Sequence, residues 1–208
     1  LATVDGHGGT IITWADKATS FYGYLSARGA GEEGQGGFAE VSGKHALMFL
    51  GDADLGAENG RSGTILFDPD NITIEDGTGS ADDGDLDFSD GVISFDEGPL
   101  NTFISEQFLE SFSGAVVLQA NNNITIQNLS DNSLDLQATT GSAEFIANAD
   151  GVGGGGFSMD LSATIVTQGA DVTIFAAGIT AGGITTNGGN IELISSAAVS
   201  VTGDFTTS

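Results

Sequence analysis

Cysteine is absent from this chain, which excludes a disulfide framework and thiolate metal sites. The absence leaves secretion open, because a chain that crosses a membrane pore unfolded would be jammed by disulfides formed on the way. Proline is almost absent too, at 2 residues, so the punctuation comes from 33 glycines, which permit the left-handed corners that bulky residues resist. Basic residues number 4 against 29 acidic ones, a net charge of −25. All four (Lys17, Arg28, Lys44, Arg61) lie before position 62, so everything beyond carries acidic charge alone. Such a field repels phosphate backbones and anionic lipid, and so disfavours nucleic acid and electrostatic membrane docking as partners. No apolar run approaches the roughly 18 residues of a membrane-spanning helix. The first residue is Leu1, with neither a basic n-region nor an apolar h-region after it, so the expectation is a mature piece or an excerpt of a longer protein.

Leu, Ile, Val and Phe make up about a quarter of the chain, enough for a packed core and above the level at which disorder is expected. They are dealt out in short runs between glycine and Asn/Asp corners: TIITW (10–14), FYGYL (21–25), GFAEV (37–41), ALMFL (46–50), TILF (64–67) and ITI (72–74). The runs resume as VVLQ (116–119), ITIQ (124–127), LDLQ (134–137), EFIA (144–147), FSMDL (157–161), VTIF (172–175) and IELI (191–194). β-Branched and aromatic residues dominate them, and they are too short for helices, so they predict strands and an all-β chain. Spacing alone would also suit a sandwich. A repeat points elsewhere: GADVTIF and GGNIELI place the same sequence of glycine, polar corner and alternating apolar residues at Val172 and Ile191, 19 residues apart. A period near twenty is that of a parallel β-helix, in which each coil buries its inward side only against its neighbours. PDNITI (69–74) and NNNITI (121–126) share an Asn-then-strand form that predicts Asn side chains stacking at equivalent corners.

Residues 75–115 interrupt this rhythm. EDGTGSADDGDLDFSDG (75–91) reads as an acidic loop, and ISEQFLESF (104–112) as a short helix with Ser105 as its N-cap and Phe108, Leu109 and Phe112 on one face. The organisation expected is one solenoid domain over 1–208: first coils in 1–74, an inserted loop and helix in 75–115, and further coils in 116–208.

Few residues offer chemistry. GAGEEG (29–34) has the glycine spacing of a dinucleotide loop, but a strand (QGGFAEV) follows where a helix N-terminus is required, and its two glutamates repel phosphate. Asp83, Asp85 and Asp87 alternate like the first oxygens of a calcium loop; position six is Phe88 rather than glycine and position twelve is Ser94 rather than a bidentate Glu. These three are the candidate calcium ligands in another geometry, the alternative being a solvated acidic loop. His7 and His45 are the only neutral-pH bases; both read as corner residues, and no nucleophile elbow accompanies them. A lyase acting on acidic sugars would want basic residues in its groove, and none lies beyond Arg61, so no enzyme activity is expected. Trp14, Phe21, Tyr22, Tyr24 and Phe38 concentrate aromatics near the start; stacking inside successive coils is the expected place for them, outward sugar-binding the alternative. The N-glycosylation triplets at Asn71, Asn123 and Asn128 carry little weight in a chain expected to be bacterial.

Residues 8–74 carry a more specific signal in Trp14-Ala15-Asp16, FYGYLSARG (21–29), GGFAEVSGK (36–44) and LFDPDNITI (66–74). Together these resemble the filamentous haemagglutinin-like exoproteins of two-partner secretion, particularly their large cyanobacterial-type relatives. ISEQFLESFSGAVVLQANNNITI (104–126) and GGITTNGGNIELIS (182–195) are similar to the looser coils of the same proteins. The resemblance implies a right-handed parallel β-helix, passed through a dedicated outer-membrane transporter to the surface of a Gram-negative-type bacterium. It also implies a piece from downstream of the secretion domain, acting in adhesion to a glycan or protein on another cell, or binding copies of itself to build a filament or surface layer.

Overall fold

The computed structural model describes residues 5–77 and 102–208. Their regular structure is almost entirely β-strand, laid down in successive passes. The first pass supplies β1 (Thr10–Ala15), β2 (Ala18–Phe21) and β3 (Tyr24–Ser26), and the second β4 (Phe38–Gly43), β5 (Ala46–Phe49) and β6 (Asp52–Asp54). The third gives β7 (Thr64–Phe67) and β8 (Ile72–Glu75), then, after the undescribed stretch, β9 (Phe103–Ser105) and α1 (Glu106–Ser111). The fourth holds β10 (Ala115–Ala120), β11 (Ile124–Ile126) and β12 (Ser133–Leu136), and the fifth β13 (Ser142–Ala147), β14 (Gly156–Met159) and β15 (Thr164–Thr167). The sixth comprises β16 (Asp171–Ala176), β17 (Gly178–Ala181) and β18 (Gly183–Thr185), and the seventh β19 (Ile191–Ser195), β20 (Val199–Val201) and β21 (Phe205–Thr206).

Each pass but the third adds one strand to each of three sheet positions. The first sheet runs β1-β4-β7-β10-β13-β16-β19 and the second β2-β5-β9-β8-β11-β14-β17-β20; the third position is split into β3-β6 and β12-β15-β18-β21. Every pairing between these strands is parallel. The repeat expected from Val172 and Ile191 is a pairing of direct neighbours, since those two residues are partners between β16 and β19.

Register converts an alternating sequence into a core. In the first sheet Ala39, Ile65, Val116, Ala143 and Val172 stack in one inward file, and Val41, Phe67, Leu118, Phe145 and Ile174 in the next. All ten are at most 1% exposed, and each large side chain so buried contributes about 1.5–3 kcal/mol. Outward neighbours are half-buried or exposed, the alternation that period-two strands impose. Where the third sheet turns into the first, buried threonines close the corner: the hydroxyl of Thr167 donates to Ala170 O (2.7 Å) and that of Thr186 to Gly189 O (2.5 Å).

Glycines precede the first-sheet strands where passes come closest. A Cβ on Gly63 would stand 1.8 Å from Gly37 O, and one on Gly37 would stand 2.1 Å from Gly9 O. These bare positions let Phe38 N–H reach Gly9 O (3.0 Å), Thr64 N–H reach Gly37 O (3.0 Å) and Ala115 N–H reach Gly63 O (2.9 Å).

The third pass departs from the others. β9 is wedged into the second sheet, Phe103 pairing with both Met48 of β5 and Thr73 of β8. Thr102 ties the wedge down: its Oγ1 accepts from Leu47 N–H (2.8 Å) and its carbonyl from Thr73 N–H (2.8 Å). α1 then stands where other passes carry a third-sheet strand, packed on β12. Ser105 caps it as the sequence predicts, its Oγ accepting from Phe108 N–H (3.2 Å). Leu109 and Phe112 are buried, and Phe108 sets its ring 4.8 Å from that of Phe49 and 6.0 Å from that of Phe67.

Two sequence expectations require correction. FYGYL is not one strand, because the chain turns at Tyr22–Gly23 between β2 and β3. The early aromatics do not all enter the core: Trp14, Tyr22 and Tyr24 are 54%, 56% and 60% exposed, while Phe21 and Phe38 are half-buried. Parity decides Trp14. Register sets Ile11 and Thr13 against the buried Ala39 and Val41, so Ile12 and Trp14 must face outward.

Candidate functional surface

The outer face of the second sheet carries an ordered rank of hydroxyls. Thr73 pairs with Thr125, Thr125 with Ser158, Ser158 with Thr180, and Thr180 with Ser200, each on the next strand. Parallel strands lie about 4.8 Å apart, so the rank advances by that step along the stacking direction. Beside it runs a second rank. Asn71 Oδ1 accepts from Asn123 N–H (3.2 Å) and Asn123 Nδ2 (3.3 Å), and Asn123 Oδ1 accepts from Gly156 N–H (3.0 Å). The Asn stacking read from PDNITI and NNNITI is therefore present, and it opens onto Gly156 and its partner Gly178, where no side chain stands.

Between the ranks lies a shallow groove of about 610 Å³ floored by Ile72 and Phe157. Its lining is hydroxyl, amide and backbone, without a charged side chain, on a molecule of net charge −25. Thr125 and Ser158 share one hydrogen bond (3.3 Å). Sequence reasoning missed this surface. Its signal is a tripeptide recurring at the head of consecutive second-sheet strands: Asn71-Ile72-Thr73, Asn123-Ile124-Thr125, Gly156-Phe157-Ser158 and Gly178-Ile179-Thr180. Two of these also read as N-glycosylation triplets.

A second surface belongs to the first two passes. Tyr24 Oη donates to Asp54 Oδ2 (3.3 Å), and Arg28 Nη1 reaches both Asp54 oxygens (2.8 and 2.6 Å). Partial burial pushes the Asp54 carboxyl up, but Arg28 and Gly56 N–H together pull it below the usual range. Tyr22 lies over Met48, its Oη 3.1 Å from Sδ.

His45 and His7 are both corner residues. His45 Nδ1 is 2.7 Å from Asp70 Oδ2, and Asn121 Nδ2 donates to Asp70 Oδ1 (3.0 Å), so Asp70 joins three passes. Burial raises the Asp70 carboxyl, yet these two partners outweigh it and hold it low. His7 Nδ1 accepts from Gln35 N–H (3.1 Å), and GAGEEG is a bridged turn with no helix behind it.

Around α1 five carboxyls converge. Glu106, 6% exposed, accepts from Gly77 N–H (3.1 Å) and shares a hydrogen bond with Asp76. Burial first, then the proximity of Asp76, Glu110 and Asp131, pushes its carboxyl up to about 7. Asp76 is held low by Ser130 N–H (3.1 Å). Glu110 accepts from Asp135 N–H (2.8 Å) and is raised by burial and by the Asp135 and Asp131 charges. Among the described residues no group of three or more His, Asp or Glu is arranged to hold a metal. The candidate calcium ligands Asp83, Asp85 and Asp87 lie outside the described residues. No helix among the described residues is long and apolar enough to cross a membrane. No protein-family model, curated protein or solved structure matches the chain.

Proposed function

We propose that the chain is a right-handed parallel β-helix from a secreted or cell-surface adhesin of the filamentous haemagglutinin-like kind, whose outer face attaches one cell to another surface. Three parallel sheets visited in rotation, with inward files stacked in register, support the solenoid. The neutral groove on the second sheet carries the functional reading. Its hydroxyls and amides repeat along the stacking direction, so it suits an extended, uncharged, hydroxyl-rich chain, and the acidic field around it turns away anionic polymers. The contact is therefore with a neutral glycan. The purified protein should be retained on neutral polysaccharide or on cells bearing it, and Thr125→Val with Ser158→Ala should abolish retention without moving Tm. Retention unchanged in that variant would remove the groove from the reading.

A second reading is self-association into a filament. Val199, Val201 and Phe205 of the seventh pass are 49%, 38% and 40% exposed, whereas their register partners Ile179, Ala181 and Ile184 are buried. An identical copy, or a further pass of the same design, would cover them. Rods that lengthen with concentration in electron micrographs would favour this reading over a monomeric adhesin.

A further inference from the structure

Helix α1 is the element that replaces a strand, and it is fastened by acids. Ser105 Oγ donates to Gly77 O (2.7 Å), Gln107 N–H donates to the same carbonyl (3.2 Å), and Glu106 takes Gly77 N–H. At the other side Glu110 takes Asp135 N–H from β12. Glu106 faces Asp76 from the end of β8, Glu110 from its own helix, and Asp131 from the turn before β12, while Asp135 of β12 faces Glu110. The sequence supplies no lysine or arginine beyond Arg61 to offset them. Under the helix lie Phe49 and Phe67, against which Phe108 packs edge-on.

We propose that α1 is a proton-operated clasp: closed when a single proton bridges Glu106 and Asp76, and loosened when both are ionised beside Glu110, Asp131 and Asp135, baring the Phe49–Phe67–Phe108 cluster. Two carboxyls in hydrogen-bond contact hold one proton readily and two negative charges poorly. The direction follows from burial. Glu106 keeps its proton to about pH 7 in the folded chain against an ordinary 4.5, so the closed form is fully favoured in mild acid and loses ground as pH rises between those values. The groove of about 480 Å³ between α1 and residues 49–52, lined by Phe49, Leu50, Phe108 and Ser111, marks the side on which the helix has room to move.

Amide hydrogen exchange on the full chain between pH 5.5 and 8.5, corrected for the intrinsic rate, tests the clasp. Amides of 106–112 should lose protection by about tenfold or more across that range while those of β10 and β13 hold theirs. Glu106→Gln, which donates to Asp76 at every pH, should make the helix insensitive to pH, and Asp76→Asn should shrink the response. Equal protection of α1 at both ends of the range in the wild-type chain would overturn the proposal, as would an undiminished pH response in Glu106→Gln.

Discussion

Replacing Gly63 by alanine should be among the most damaging single-methyl additions to this molecule. The new Cβ would fall 1.8 Å from Gly37 O and 2.8 Å from both Gly37 C and Gly37 N, all backbone atoms of the neighbouring pass. No rotamer relieves such a clash, so the two passes must separate locally, and the 3.0 Å bond from Thr64 N–H to Gly37 O is the first to suffer. Overpacking costs about 1–3 kcal/mol and a lost backbone hydrogen bond about 1 kcal/mol more, giving about 3 kcal/mol. For a chain of this size that corresponds to a fall in Tm of about 6–12 °C. Gly154→Ala is the matched control: its Cβ would meet nothing within 4 Å, so its Tm should stay within about 2 °C of wild type. Thermal unfolding followed by circular dichroism decides the matter. A Gly63→Ala protein that melts with the wild type would refute the close stacking of the second and third passes.

Other perturbations probe other parts of the fold. Phe145→Ala removes a 1%-exposed ring lying between Leu118 and Ile174 and edge-on to Phe157 at 5.4 Å; urea unfolding should show a loss of about 3–5 kcal/mol. Ser105→Ala deletes the α1 cap and its bond to Gly77 O, and should lower stability by about 1 kcal/mol, with helix amides exchanging faster than β-strand amides. Asp70 has a depressed carboxyl, so its contribution is present above the ordinary carboxylate range and is lost as pH falls through the lower folded value. Asp70→Asn should accordingly flatten the acid limb of the stability curve, and an unchanged limb would deny the His45–Asp70–Asn121 link a stabilising role.

Much of the strand content was legible because inward positions are apolar and the strands alternate. The Ser105 cap was legible because capping is a local signal, read within four residues. The stacking period was visible only at Val172–Ile191. Earlier register partners such as Val116–Ala143 and Ala143–Val172 are 27 and 29 residues apart, because corners of different length sit between equal strands. β6, β15, β17, β18, β20 and β21 escaped because two to four residues carry too little pattern on their own; neighbours in register make them strands. The outward course of Trp14 escaped because TIITWA has apolar residues at both parities, and only pairing with β4 chooses between them. The groove escaped because hydroxyls on separate passes become neighbours only through pairing.

Spin labels on the second sheet test the stacking of passes most directly, and the absence of native cysteine makes them simple to place. With one label at Thr73 and the other at Ser158, Thr180 or Ser200, the backbone separations should grow as roughly 10, 14 and 19 Å, one strand spacing per pass. Distances that fail to rise in that order, or that place Ser200 nearer to Thr73 than Ser158, would contradict parallel stacking and with it the proposed solenoid.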